Sequence, residues 1–255
     1  MELPQVSKSQ IKFLQSLKLK KYRQKYGSFL VEGRKAVDEI LKDNGLKIKS
    51  LYAVAPWFEK TEPQYLSNIY QQHTISDHIL KQISTLTTPD QVIIECEIPT
   101  EKAPDSNAGW VLFLDGISDP GNLGTIIRTA DWFGINYVCM APGTVDVFNP
   151  KCVQATMASI GRLNFYYGDL KQISEVLIDH PVLIADMSGE PIQKVVSSSP
   201  AVVVIGNESH GVSTDILENP DYRKVAISRA PESRAESLNA AVACAAILSI
   251  LLLPG

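Results

Sequence analysis

Cysteine is scarce in this 255-residue chain: Cys96, Cys139, Cys152 and Cys244 lie far apart and form no CxxC pair. That spacing argues against zinc and against a disulfide framework, and predicts buried thiols in a reducing cytosol. No metal is expected. Long apolar runs are missing too. The longest, Leu238 to Leu253, is interrupted by Asn239 and Ser249 and is too short and polar for a comfortable membrane span. The first 25 residues are lysine-rich and broken by polar residues, unlike a signal peptide, so a cytoplasmic protein is expected. No internal repeat is present, which excludes solenoids, and no GxGxxG fingerprint, which weakens a nicotinamide-binding reading. What remains is ordinary globular composition, 45% hydrophobic and 20% charged, sufficient for one large domain or two modest ones.

The net charge of −4 conceals an asymmetry. Residues 1–49 carry 12 Lys+Arg against 5 Asp+Glu, a net of +7, whereas residues 50–255 have a net of −11. Such a division suggests a basic module for a polyanion joined to an acidic body, although a solvated lysine-rich helix has the same composition. The densest stretch is Lys18-Leu19-Lys20-Lys21-Tyr22-Arg23-Gln24-Lys25-Tyr26. Its candidate RNA contacts are Lys18, Lys20, Lys21, Arg23 and Lys25, with Arg34 beyond. Phosphates need the charges, and unstacked bases can use the aromatic faces.

Apolar spacing predicts a helix over 7–19, a strand at 29–31, a helix over 34–42, a strand at 48–55, helices at 64–72 and 76–84, and a strand at 92–96. Together these form a small α/β domain, residues 1–97. Residues 98–109 hold two prolines and little apolar periodicity and read as a linker. From Trp110 onward, strand–loop–helix alternation predicts a second domain, 110–255, with a parallel sheet covered on both faces. Strands are expected at 111–114, 137–140, 163–167, 182–185, 201–205 and 225–227. Helices are expected near 123–133, 150–158, 169–178 and 237–253. Ligands of such sheets bind at the carboxyl ends of strands, so the loops after the strands are the places to look.

Three loops stand out. In Leu114–Ala130 a strand ends, a Pro-Gly turn follows, and Asn122 occupies a candidate helix N-cap. Leu123, Ile126, Ile127, Ala130 and Phe133 form the core face of that helix, and Arg128 points away beside Thr125 and Trp132. Such an arginine can meet a phosphate or simply sit in a surface ion pair. In Val202–Gly211 an apolar strand runs into Gly206, Asn207, Glu208, Ser209 and His210. His210 reads better as a loop side chain than as a general base, because no partner is evident. In the third loop Glu236, Ser237 and Asn239 gather before an alanine-rich helix that is apolar on every side and therefore expected to be buried all round.

The segments DGISDPGNLGTIIRTADWFG, VVVIGNESHG and ESLNAAVACAAIL, in that order, resemble the three signature motifs of the SpoU (TrmH-like) RNA ribose 2′-O-methyltransferases of the SPOUT superfamily. KYGSFLVEGRKAVDEIL is similar to the start of that family's small N-terminal RNA-binding domain. The resemblance implies an α/β protein whose C-terminal SPOUT parallel-sheet domain contains a trefoil knot, preceded by a ribosomal-protein-like α/β RNA-binding domain. It also implies S-adenosylmethionine as methyl donor, rRNA or tRNA as substrate, and a homodimer. Carried over residue by residue, it nominates Asn122, Arg128, Glu208, Ser237 and Asn239 as catalytic, and Ile205, Gly206, Ile227 and Leu238 as the cofactor cradle. The segment Ile227–Ala235 departs from the family, which has Ile-Pro-Met and a nearby glycine; here there are two arginines and no glycine. Two rival classes are a non-catalytic RNA-binding protein that retains the fold and a Rossmann oxidoreductase. The intact polar motif residues favour the enzyme.

Overall fold

The computed structural model describes residues 5–43, 45–195 and 199–252. Its elements in chain order are α1 (Lys8–Ser16), α2 (Lys20–Tyr26), β1 (Ser28–Glu32), α3 (Arg34–Asp43), β2 (Ile48–Ala53), α4 (Ala55–Phe58), β3 (Gln72–Thr74), α5 (Asp77–Ile83) and β4 (Val92–Glu97). There follow β5 (Val111–Asp115), α6 (Pro120–Trp132), β6 (Tyr137–Met140), α7 (Pro150–Thr156), β7 (Asn164–Tyr167), α8 (Leu170–Val176), β8 (Val182–Pro191), β9 (Val202–Gly206), α9 (Thr214–Leu217), β10 (Arg223–Ala226) and α10 (Ala240–Leu252). The chain divides into two compact units. One comprises 1–100 together with 146–161, and the other 101–145 together with 162–255. The segment carrying α7 thus belongs with the N-terminal unit, which the continuous boundaries expected from composition do not include.

The first unit has a four-stranded sheet in the order β1-β4-β2-β3, with β4 antiparallel to both neighbours and β3 parallel to β2. Two expectations need correction here. The helix expected at 64–72 is a single 3-10 turn, Pro63–Tyr65, followed by chain leading into β3. Of its apolar residues Ile69 is buried but Tyr70 is 97% exposed, and the Gln72 side chain donates to the Leu66 and Ile69 carbonyls. Pairing with β2 overrides a weak helical pattern. The N-terminal helix, in turn, stops at Ser16, and the basic stretch forms a second helix, α2.

Arg23 also departs from its expected place on an RNA-binding surface. It is the buried residue of α2, 2% exposed. Its guanidinium donates to the Leu17 and Lys18 carbonyls at 3.0 and 2.9 Å and forms an ion pair with Asp146. It therefore holds the α1–α2 turn to the segment before α7. Lys18 is likewise engaged, donating to the Ser84 carbonyl at 2.9 Å. Lys20, Lys21, Lys25 and Arg34 are exposed.

The second unit is a six-stranded, wholly parallel sheet in the order β10-β8-β9-β5-β6-β7. Its central strands are buried on both faces, which explains near-continuous runs such as VLFL and VVVI. On one face Val111, Phe113, Cys139, Ile184, Val202 and Val204 pack with Leu170 and Ile173 of α8. Leu123, Ile126, Ile127 and Ala130 are the buried side of α6, and α10 packs on α6 and β9. The apolar helix expected over 237–253 begins at Ala240, and Leu253 lies outside the described residues. It is not buried all round: Val242 is 54% and Ile250 38% exposed, one stripe that a single unit leaves uncovered. All four thiols are buried and free, and burial raises their pKa values, to about 12 for Cys139 and Cys244. They stay protonated and unreactive at neutral pH.

Arg23→Met tests the structural role of that guanidinium. It leaves Asp146, whose side chain is 15% exposed, without its cation. Thermal unfolding should show a loss of about 3–5 kcal/mol, whereas Lys20→Met on the exposed face should change stability little.

Candidate active site

The order of the parallel sheet singles out one place. From β5 the chain runs outward to β6 and β7, then returns to lay down β8 and β9 on the other side. β5 and β9 are therefore neighbours whose connections leave in opposite directions, the topological switch point where open α/β sheets bind ligands. Asp115 and Gly206, the last residues of the two strands, are paired in register. The loops that follow carry two of the three motifs.

Glu208 is the hub. Its Oε2 accepts from the Ser118 amide at 3.2 Å and the Ser118 hydroxyl at 3.1 Å. Its Oε1 accepts from the Asn122 side-chain amide at 2.9 Å and the Asp119 amide at 3.4 Å. Asn122 Oδ1 in turn accepts from Asn239 Nδ2 at 2.9 Å. Asn239 Oδ1 accepts from the backbone amides of Ala241 and Val242, at 2.9 and 3.3 Å, capping α10. One continuous chain of hydrogen bonds thus joins the β9 loop, the start of α6 and the start of α10. Partial burial works to raise the Glu208 pKa, but the bonds from Asn122, its own amide and Ser118 outweigh it and hold the carboxyl below its usual range.

The N-cap of α6 is Asp119, not Asn122: the Asp119 side chain accepts from the Asn122 amide at 2.8 Å and Pro120 occupies the first helical position. The cap falls three residues earlier because Asp-Pro supplies both an acceptor and a preset φ. That shift frees the Asn122 side chain to bridge Glu208 and Asn239. Nothing in the sequence marks Ser118 or Asp119 as partners of Glu208, since no spacing links two loops that far apart.

A second clamp lies beside the first. Asn207 Nδ2 donates to the Gly116 carbonyl at 2.7 Å, where Gly116 adopts φ +75°. Asn207 Oδ1 accepts from the Ser209 and His210 amides, and the His210 ring lies against the same oxygen at 3.2 Å. His210 is therefore an exposed side chain of its own loop. A Cβ at Gly206 would collide with the backbone of Gly211 and Val212, because Asn207 and Gly211 form a tight β-bridge.

The remaining nominated residues stand apart from the network. Arg128 is exposed on α6 and, among the described residues, its side chain makes no hydrogen bond or ion pair. Asn122 is the side-chain amide partner of Glu208. Ser237 is exposed. Ile205 is 2% exposed, so its side chain belongs to the core and only its backbone is offered to a ligand. Ile227 lies just beyond β10 and is partly buried, while Leu238 is 50% exposed despite being apolar. In the departing loop Arg229 donates to the Ala235 carbonyl at 3.1 Å, closing the loop on itself. Among the described residues no group of His, Cys, Asp and Glu could hold a metal ion, and no helix is long and apolar enough to cross a membrane.

Residues 109–249 match the model of the SpoU rRNA methylase family. The chain belongs to that family. Residues 8–94 match an MRM3-like substrate-binding domain. A 23S rRNA (guanosine(2553)-2′-O)-methyltransferase, RlmP, from Bacillus subtilis is 31% identical over 250 residues, covering 97% of each chain. A TrmH-family protein from Porphyromonas gingivalis superposes with a TM-score of 0.84 at 33% identity, covering 97% of this chain and 98% of its own. An AdoMet-bound rRNA methyltransferase from Sinorhizobium meliloti gives a TM-score of 0.84 at 26% identity, over 98% and 96%. The expected α/β fold, with a SPOUT-like parallel sheet after a substrate-binding domain, agrees with these SpoU-family matches.

Glu208→Gln tests the hub. The amide places an NH₂ where two donors already point, so stability should fall by about 1–2 kcal/mol. The folded-state pKa of Glu208 is lowered, so its contribution is full above the usual carboxylate value of about 4.3 and is lost as pH falls through the lower folded value. Thermal unfolding across pH should show a constant wild-type advantage from about pH 5 to 8, shrinking only below about pH 4.

Proposed function

We propose that this protein transfers a methyl group from S-adenosylmethionine to a ribose 2′-hydroxyl of ribosomal RNA. The observation that carries the reading is the hydrogen-bonded chain Glu208–Asn122–Asn239, which ties all three motifs together at the sheet's switch point. Family membership and the named activity of the Bacillus subtilis relative support it, and favour rRNA over tRNA as the substrate. A non-catalytic descendant would not need these residues, and Asn122, Arg128, Glu208 and Asn239 are all present.

Backbone groups at Ile205, Gly206, Ile227 and Leu238 would hold the cofactor, with the Ile227 and Leu238 side chains covering its ring. When bound, that group supplies a methyl already activated on a positively charged sulfur. The protein's task is therefore alignment and charge stabilisation. Glu208 and Asn122 fix the rim of the pocket, and Asn239 keeps the start of α10 in register with it. Ser237 adds a hydroxyl to the polar wall. Arg128, exposed and with an unpartnered side chain, takes the phosphate beside the target ribose and stabilises the negative charge that develops on the 2′-oxygen as its proton passes to solvent water. It is a clamp rather than the proton acceptor, because a guanidinium keeps its proton at neutral pH.

The reading extends to assembly. The uncovered stripe of α10, Val242 and Ile250, together with the exposed Trp132 of neighbouring α6, supports a two-fold homodimer closed through these helices. Membership of the SpoU family supports the trefoil knot, and four buried free thiols support a cytoplasmic site of action. The division into an RNA-binding domain of 1–97, a linker of 98–109 and a catalytic domain of 110–255 draws support from family matches over 8–94 and 109–249, while the 146–161 segment groups with the first unit.

Mapping 2′-O-methylated nucleotides in rRNA with and without the gene is the direct test; an unchanged map, with no transfer to rRNA in vitro, rejects the activity. Arg128→Ala should lower single-turnover transfer at least about 100-fold and leave cofactor affinity, read by calorimetry, near wild type. Arg128→Lys should recover little, since an ammonium does not reproduce the bidentate fork.

Val242→Glu addresses assembly without touching the hub. A carboxylate on the uncovered stripe should convert a sedimenting dimer into monomer at micromolar concentration. A wild type that sediments as a fully active monomer would overturn the dimer.

A further inference from the structure

Among the features the catalytic reading leaves unused is the outer face of α2. The helix turns two columns of side chains outward. Tyr22 and Tyr26, one turn apart, hold their rings nearly parallel, 12° between planes and 6.2 Å between centroids. Lys21 and Lys25, also one turn apart, place their ammonium groups 4.9 Å from the Tyr22 centroid and 5.3 Å from the Tyr26 centroid. Phe13 of α1 meets Tyr26 edge-on at 5.1 Å. The columns are fixed in direction because the opposite side of the helix is locked. Arg23 points inward to Asp146, and Lys49 Nζ donates to the Tyr26 and Gly27 carbonyls at 3.3 and 3.2 Å. Tyr26 nonetheless remains 41% exposed, and Lys20, Lys21 and Lys25 are all exposed.

A solvated charge run does not explain this arrangement. Lysines alone attract phosphates of any nucleic acid, paired or not. A ladder of parallel rings adds a π surface that is useful only to a base whose own face is free. In a duplex those faces are covered by neighbouring bases, and the A-form grooves offer mainly edges, sugars and phosphates. The net charge of +7 over residues 1–49 supplies the complement to a polyanion, and the flexible lysine stems can leave the rings for phosphates.

We propose that α2 is a stacking platform for an unpaired nucleotide of the RNA substrate, with the base lying on the Tyr22–Tyr26 ladder and the flanking phosphates meeting Lys20, Lys21 and Lys25. This rests on the reading that the protein modifies RNA, and it names the kind of RNA: a loop, bulge or displaced strand near the target, rather than a regular helix. Recognition is sequence-tolerant, since every base has a face, and discriminates by pairing state.

The test uses the full chain with a fluorescent unpaired ribo-oligonucleotide and a hairpin of the same composition. The wild type should prefer the unpaired strand. Tyr26→Leu and Tyr22→Leu should each weaken that binding about tenfold without changing its salt dependence, and Tyr26→Phe should bind as wild type. Lys21→Gln and Lys25→Gln should instead each reduce the salt slope by about 0.7. Because Tyr26 packs on Phe13, a second readout is needed that does not depend on a variant folding. Photocrosslinking of a 5-iodouridine strand to the wild type should map to Tyr22 or Tyr26. Equal affinity for strand and hairpin, or crosslinks confined to other residues, would overturn the platform; so would selective capture of an acidic peptide by the same lysines with no effect of the tyrosine variants on RNA. Methyl transfer to rRNA, measured on the same protein, separates the two claims. Transfer with unaffected tyrosine variants rejects the platform alone, and tyrosine-dependent strand binding without any transfer rejects the methyltransferase reading alone.

Discussion

The Glu208 carboxylate has no covalent link to the segments it organises, yet the site depends on where its two oxygens lie. One oxygen takes both donors of Ser118, the other the side chain of Asn122, and through Asn122 the constraint reaches Asn239 and the first amides of α10. Each bond is ordinary in length. Their effect is collective, because three backbone segments that leave different parts of the fold share one set of positions. An acceptor that remains ionised suits this role: the donors that converge on Glu208 lower its pKa, and the lower pKa keeps it an acceptor at every pH where the fold is used. The network is thus a scaffold for chemistry performed by its neighbours.

That scaffold is possible only because the sheet brings β5 and β9 together. Both strands are buried on both faces, so their register is fixed by the apolar side chains of the layer above and the layer below. A slip of one residue would move Asp115 away from Gly206 and separate the loops that Glu208 bridges. Gly206 belongs to the same constraint, since its missing Cβ lets the β9 loop fold back on Gly211 and Val212 and present Glu208 towards α6. Packing at the centre of the sheet and polar geometry at its rim are consequently one requirement.

The sequence disclosed the strands and the motifs more readily than their connections. Runs such as VLFL and VVVI announce buried parallel strands, and most observed boundaries lie within a few residues of those expected. The polar residues of the three motifs could be chosen from residue type and resemblance. What spacing could not disclose was pairing: that Glu208 holds Asn122, that Asp119 is the cap, or that Ser118 takes part at all. Those facts depend on loops that the sheet order makes adjacent and the chain does not. The same limit explains Arg23. A charge run identifies a basic helix but not which of its cations faces inward, and that is decided by Asp146, more than a hundred residues away in sequence.

Burying that one arginine has a consequence for the others. A helix as short as α2 has little stability of its own, and its outward residues are ordered only if something fixes its rotation. Arg23 does so by binding Asp146 and the carbonyls of the preceding turn, and Lys49 does so at the opposite end. With the helix held from behind, the tyrosines and lysines in front are presented at fixed spacing instead of fluctuating as a polar coil. A buried cation therefore gives the exposed face of α2 its geometry, just as Glu208 gives geometry to the loops around it. In both units a charged group buried or half-buried among its partners fixes the position of its exposed neighbours, and those neighbours are the ones the proposed readings assign to the substrate.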